Sequence, residues 1–175
     1  VWLAGRNKHL KPYRSLLLGL LIMAVAISLD WVFAIYLLDY LGLNSQSPMG
    51  MALLKLNESF IVVSTVITLT LLTGSSLDSI YIQKGNLKLG LLIGGTAFFL
   101  SAAASPWMAG FLFKGQNLSP ERIIAWLPWV LIFALANAAQ EELLFRGLFL
   151  RKLEPFFGKF LSNALVVFVF TLVHL

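Results

Sequence analysis

Cysteine is absent from the chain. That excludes a disulfide framework, a cysteine metal site and a thiol nucleophile. Charge is scarce as well: Asp, Glu, Lys and Arg make up 12% of residues, about half the share of a soluble globular domain. Apolar residues reach 59%, and mean hydropathy is +0.86. An ordinary water-soluble domain is therefore excluded. The formal charge of +5 does not point to nucleic acid, because no basic stripe alternates with exposed aromatics. Most cations fall in short segments between apolar runs, as in a protein facing lipid headgroups. No internal repeat or low-complexity linker interrupts the pattern.

What is present is apolar length. Five segments stand out, at about 16–38, 59–73, 87–113, 123–150 and 160–175. The expected fold is all-α, a polytopic transmembrane bundle of about five spans. The first segment is too long for the apolar region of a signal peptide and is read as a retained span. The second is short and β-branched, so it is expected to extend back toward Met49, with Lys55 and Glu58 snorkelling or pairing. The glycines of LLIGGTAFF suit close helix packing in a membrane. The chain begins at Val1 and stops at Leu175 inside an apolar run, and we read it as a C-terminally truncated piece of a longer protein.

Lys and Arg counts set the expected orientation. The N-terminal segment (Arg6, Lys8, Lys11, Arg14) and the connections holding Lys84, Lys88, Arg151, Lys152 and Lys159 carry nine cations. The alternate connections carry three, Lys55, Lys114 and Arg122. The N-terminus is expected on the cytoplasmic side, and the 151–159 turn with it.

Against this background AAQEELLFRGLFL (138–150) is anomalous, with two glutamates and an arginine inside an apolar run. A charge at the bilayer centre costs at least about 2.5–3.5 kcal/mol on insertion scales. On a regular α-helix Glu142 and Arg146 are i and i+4, acid before base, which predicts a buried ion pair. Glu141 points about 100° away and has no basic partner at i+3 or i+4. Its same-face polar neighbour is Asn137, one turn earlier, while Gln140 reads as interhelical hydrogen-bond glue. An unpaired, desolvated carboxylate suits a general base. Asp30 interrupts the first span, where Tyr, Trp or Ser neighbours can satisfy it.

His174 is the other ionisable residue in an apolar interior. If the chain reverses around Glu154–Gly158, Glu141 lies roughly 18 Å before the turn and His174 roughly 22 Å after it. Antiparallel helices would then bring carboxylate and imidazole to one depth, within roughly 6 Å for a shared water. Zinc usually wants three protein ligands and a water. The chain offers one intramembrane His and one unpaired Glu, with His9 in the basic N-terminal segment. A metal-free, water-activating glutamate is preferred, and zinc is the alternative.

EELLFRG (141–147) followed by FTLVH (170–174) resembles the CPBP family, the intramembrane proteases related to CAAX prenyl endopeptidases of the Rce type and to bacterial Abi immunity proteins. Its first motif is matched by Glu141, Glu142 and Arg146, and its second by Phe170 and His174. The intervening GLFLRKLEPFFGKFLSNAL and the upstream LKLGLLIGG also have the family's look. The resemblance covers roughly residues 75–175, read as a partial CPBP domain, after a segment 1–74 holding the basic N-terminus and two variable spans. It implies an endopeptidase acting on a membrane-associated protein or peptide, with Glu141 and His174 activating water and Glu142 and Arg146 in support. The family's third motif, His followed after three residues by Asn or Asp, has no counterpart in these 175 residues. Two other classes stay open, a non-catalytic immunity or scaffold protein and a proton-coupled transporter. Short loops and a compact chain favour a bacterial source.

Overall fold

The computed structural model describes residues 11–112 and 119–174, without the side chains of 102 and 105–112. Arg6, Lys8, His9 and Lys114 lie outside the described residues. A 3-10 turn at Lys11–Tyr13 leads into α1 (Arg14–Leu41). Then come α2 (Pro48–Leu72), a 3-10 turn at Leu77–Ile80, and α3 (Leu87–Leu112). The last part is α4 (Pro120–Glu141), a π-helical stretch at Glu142–Leu150, and α5 (Arg151–Val173). No strand occurs among the described residues, as the all-α expectation requires.

The five separate spans expected from sequence are not confirmed. Among the described residues, three helical runs are long and apolar enough to cross a membrane: Lys11–Leu41, Pro48–Leu72 and Pro120–Val173. The apolar part of α3 among the described residues, Leu87–Ser101, is shorter. The fourth and fifth expected segments fall within the single run Pro120–Val173, 54 residues long. Straight, it would extend about 80 Å, far beyond a hydrocarbon core of about 30 Å. It doubles back at Gly158, whose φ of 69° and ψ of 171° are non-helical, a backbone state open to glycine and strained for other residues. The reversal sits at the end of the predicted turn. The π stretch also replaces the regular α-helix assumed for 123–150. Its register is set by bonds such as Arg151 N–H to the carbonyl of Arg146.

The α1–α2 connection is written locally. Gly42 closes α1 in the left-handed conformation at φ 61°. Ser47 caps α2, its Oγ accepting from Gly50 N at 3.0 Å, with Pro48 at the first helical position. A serine cap followed by proline is a helix-start signature. As expected, α2 reaches back past residue 59. Its buried stripe includes Ser59, Val62, Val66 and Thr70, of which Val62 and Val66 cluster with Ile22 and Ala26 of α1, and the spacing is that of one helical face. Ile80, 1% exposed, plugs this core together with Leu143, Leu144 and Leu148 of the π stretch. Gly147 permits that approach: a Cβ there would sit 2.8 Å from the Ile80 carbonyl oxygen.

The chain divides into two compact units, one running to Ile82 and resuming at Trp126, the other being Gln83–Ala125. In the second, Asn86 opens α3 by accepting from Leu89 N at 3.1 Å. The motif residues all lie in the first.

Candidate active site

The two arms of the 120–173 run lie antiparallel, and the motifs face each other across them. Glu141, the last residue of α4, places Oε1 3.2 Å from Nε2 of His174. One turn further toward the tip, the rings of Phe145 and Phe170 meet edge to face at 5.0 Å. Glu141 and His174 thus meet directly, closer than the water-bridged separation anticipated from sequence.

The FxxxH spacing acquires a physical reason here. Residues i and i+4 share a helix face, and Phe170 uses both its backbone and its ring on His174. Its carbonyl takes the hydrogen bond of His174 Nδ1 at 2.7 Å. Its ring stacks on the imidazole at 4.1 Å between centroids, 26° from parallel. A carbonyl only accepts, so Nδ1 carries a hydrogen. An ionised carboxylate also only accepts, so the Nε2–Oε1 contact is a hydrogen bond only with a proton between the two atoms. An imidazolium would donate from Nε2 to the carboxylate, and a neutral imidazole with its hydrogen on Nδ1 would accept there from a protonated Glu141. Side-chain exposure is 46% for His174 and 28% for Glu141, so neither is closed off by the rest of the chain. The second oxygen of Glu141 makes no hydrogen bond among the described residues.

Glu142 and Arg146 pair as the spacing predicts, Oε1 to NH1 at 3.1 Å. Burial was expected and is not found: their side chains are 60% and 66% exposed. Rather than facing the packed core, both line an open cleft of about 360 Å³ with Glu141, Phe145, Val166 and Phe170. Asn137 is half-buried one turn before Glu141 and makes no hydrogen bond among the described residues. Gln140 was read as interhelical glue, but its Oε1 is buried without a partner. Asp30 likewise keeps one buried carboxylate oxygen, Oδ1, without the neighbour's hydrogen bond anticipated for it. Lys55 and Glu58 pair at 3.0 Å, 18% and 24% exposed.

Sequence reasoning missed the π stretch that begins at Glu142, immediately after Glu141. Such bulges recur at functional sites, but no residue type in LLFRGLFL announces one. It also missed Gly147 as a contact residue, for which a glycine in an apolar run next to the motif was the available signal. Among the described residues no group of three or more His, Cys, Asp or Glu gathers at any point. Glu141 and His174 therefore offer two donors where zinc usually takes three from the protein.

Comparison with known families agrees with this geometry. Residues 123–175 match the family model described as type II CAAX prenyl endopeptidase Rce1-like, under a third of the chain but the part carrying both motifs. The match supports a CPBP/CAAX protease family for this protein. With three helical runs long and apolar enough to span a bilayer, it indicates an integral membrane protein of CAAX-protease-like type. No curated protein and no solved structure gave a significant match.

Proposed function

We propose that the protein is an intramembrane endopeptidase in which Glu141 and His174 activate water. The observation that carries this reading is the Glu141–His174 contact at 3.2 Å beside a cleft lined by Glu141. The free oxygen of Glu141 takes a proton from a water. The hydroxide oxygen attacks the scissile carbonyl carbon, and the tetrahedral intermediate then breaks the C–N bond. The proton held by the pair goes to the departing nitrogen, which leaves as an amine. His174 stabilises the charge on Glu141 and returns the proton, while Phe170 fixes its tautomer. Glu142 and Arg146 line the cleft and position the peptide. We take the chemistry to be metal-free, since the residues present supply too few ligands for the usual zinc site.

The substrate is a membrane-associated protein or peptide. We place the protein in a bacterial plasma membrane, on its short loops and compact chain, with its N-terminus in the cytoplasm, on the Lys and Arg distribution. Residues 75–175 form the catalytic part of the chain in this reading, and 1–74 a variable helical pair.

The test is Glu141→Gln in the protein as its gene encodes it. Gln keeps the shape of Glu but takes no proton from water, so the expected loss of cleavage is about 10²–10⁴-fold. The readout is new peptide termini in membranes, counted by mass spectrometry with and without the wild-type protein. Equal sets of termini for wild type and variant would refute the assignment, and would favour the immunity or scaffold reading.

A further inference from the structure

The hairpin tip carries a second polar cleft, lined by none of the motif residues. It holds about 410 Å³ and is lined by Ser15, Asp78, Ser79, Arg151, Lys152 and Glu154, among others. Its volume is that of a small-molecule site, about 300–1,000 Å³. Three pieces of chain meet there: the start of α1, the 3-10 turn after α2, and the residues just before Gly158.

Both cations of the cleft lack an acidic partner. Lys152 makes no hydrogen bond or ion pair among the described residues. Its stem is laid across α1 where that helix has Gly19, so that a Cβ at 19 would meet Lys152 Cγ at 3.0 Å. Arg151 lies over the ring of Tyr81, 4.9 Å from its centroid. The acids do not neutralise them. Glu154 accepts from the Tyr81 hydroxyl at 3.2 Å through one oxygen, and Asp78 forms no ion pair among the described residues. Ser79 Oγ is buried without a partner. Tyr13 stacks on Phe156 at 5.1 Å beside the cleft. Aromatics and unpaired cations gathered at one end of a membrane bundle mark the headgroup layer.

We propose that this cleft binds the headgroup of a zwitterionic aminophospholipid. Its phosphate accepts from Lys152 and Arg151, and its primary ammonium donates to Asp78 and Glu154. The equal number of cations and carboxylates selects this class. A purely anionic headgroup would face two uncompensated acids, and a trimethylammonium has no hydrogen to donate to them.

Native mass spectrometry of the purified protein in an equimolar mixture of phosphatidylethanolamine, phosphatidylcholine and phosphatidylglycerol tests it. Phosphatidylethanolamine should be retained over both others. Lys152→Met keeps the stem packed on α1 and removes the charge; it should lower that retention about tenfold or more, since a hydrogen bond to a charged group contributes about 1.5–3 kcal/mol. Asp78→Asn, which spares the packing, should shift selectivity toward phosphatidylglycerol. Glu141→Gln should leave retention unchanged, which separates this site from the proteolytic one. Equal retention of the three lipids, a preference for phosphatidylglycerol in the wild type, or unchanged retention in both cleft variants would overturn the proposal.

Discussion

The α1–α2 pair and the α4–α5 hairpin both place charge inside apolar helices, but they dispose of it differently. In α1–α2 the charged pair is closed and largely covered, although Asp30 keeps a buried oxygen without a partner. Lys55 meets Glu58 three residues away, and Asn57 ties the helices together by donating to the Ala34 carbonyl at 2.8 Å. In the hairpin, Glu141 spends one oxygen on a histidine from the other arm and keeps the second free. Glu142 and Arg146 pair yet remain at the wall of a cleft. Buried polar groups that satisfy each other hold helices together. In the proposed function, the more exposed polar groups of the hairpin are those that meet a reactant.

The comparison is broken most severely at His174. Exchange for Gln should reduce cleavage about 10²–10⁴-fold, and the double exchange with Glu141→Gln should be little worse, because residues acting as one unit are strongly non-additive. Independent, multiplying losses would mean two separate roles. In the scaffold, Asn57→Leu should lower stability by about 0.5–1.5 kcal/mol, read as a lower unfolding temperature in detergent, with activity per folded molecule retained. Lost activity at full stability would move Asn57 into the site. The smallest effect is expected for Arg146→Ala, whose pair lines an open cleft and not the packed core: a change of about 0.2–1 kcal/mol, which a high-salt melt should erase. A loss of several kcal/mol would restore the buried pair read from sequence.

Much of this was legible in the residues because membrane helices obey few rules. Apolar length gave the helical class, and the helix-breaking stretch ending at Gly158 gave the reversal. Measuring from that turn placed Glu141 against His174, since rise per residue is constant. The count of spans was less legible. A window of apolar residues shows that a helix can exist, whereas joining 123–150 to 160–175 as one doubled-back run depends on the backbone at Gly158. Burial of Glu142 and Arg146 was misjudged for a related reason: spacing shows which side chains share a face, not whether that face meets a neighbour or a cleft. The unpartnered oxygens of Gln140 and Asp30 were equally hidden, as hydrogen bonding between helices depends on their contact angle and not on either sequence alone.

The central claim, that carboxylate and imidazole share one proton, is tested most directly by nitrogen-15 NMR of labelled histidine. The signal of His174 is assigned by difference from a His174→Gln spectrum. Near neutral pH the account predicts hydrogen on Nδ1 of His174 in both wild type and Glu141→Gln, held there by the Phe170 carbonyl. At Nε2 it predicts a hydrogen-bonded, proton-sharing resonance in the wild type that becomes that of an unprotonated nitrogen in Glu141→Gln. An Nε2 resonance indifferent to the exchange would contradict it.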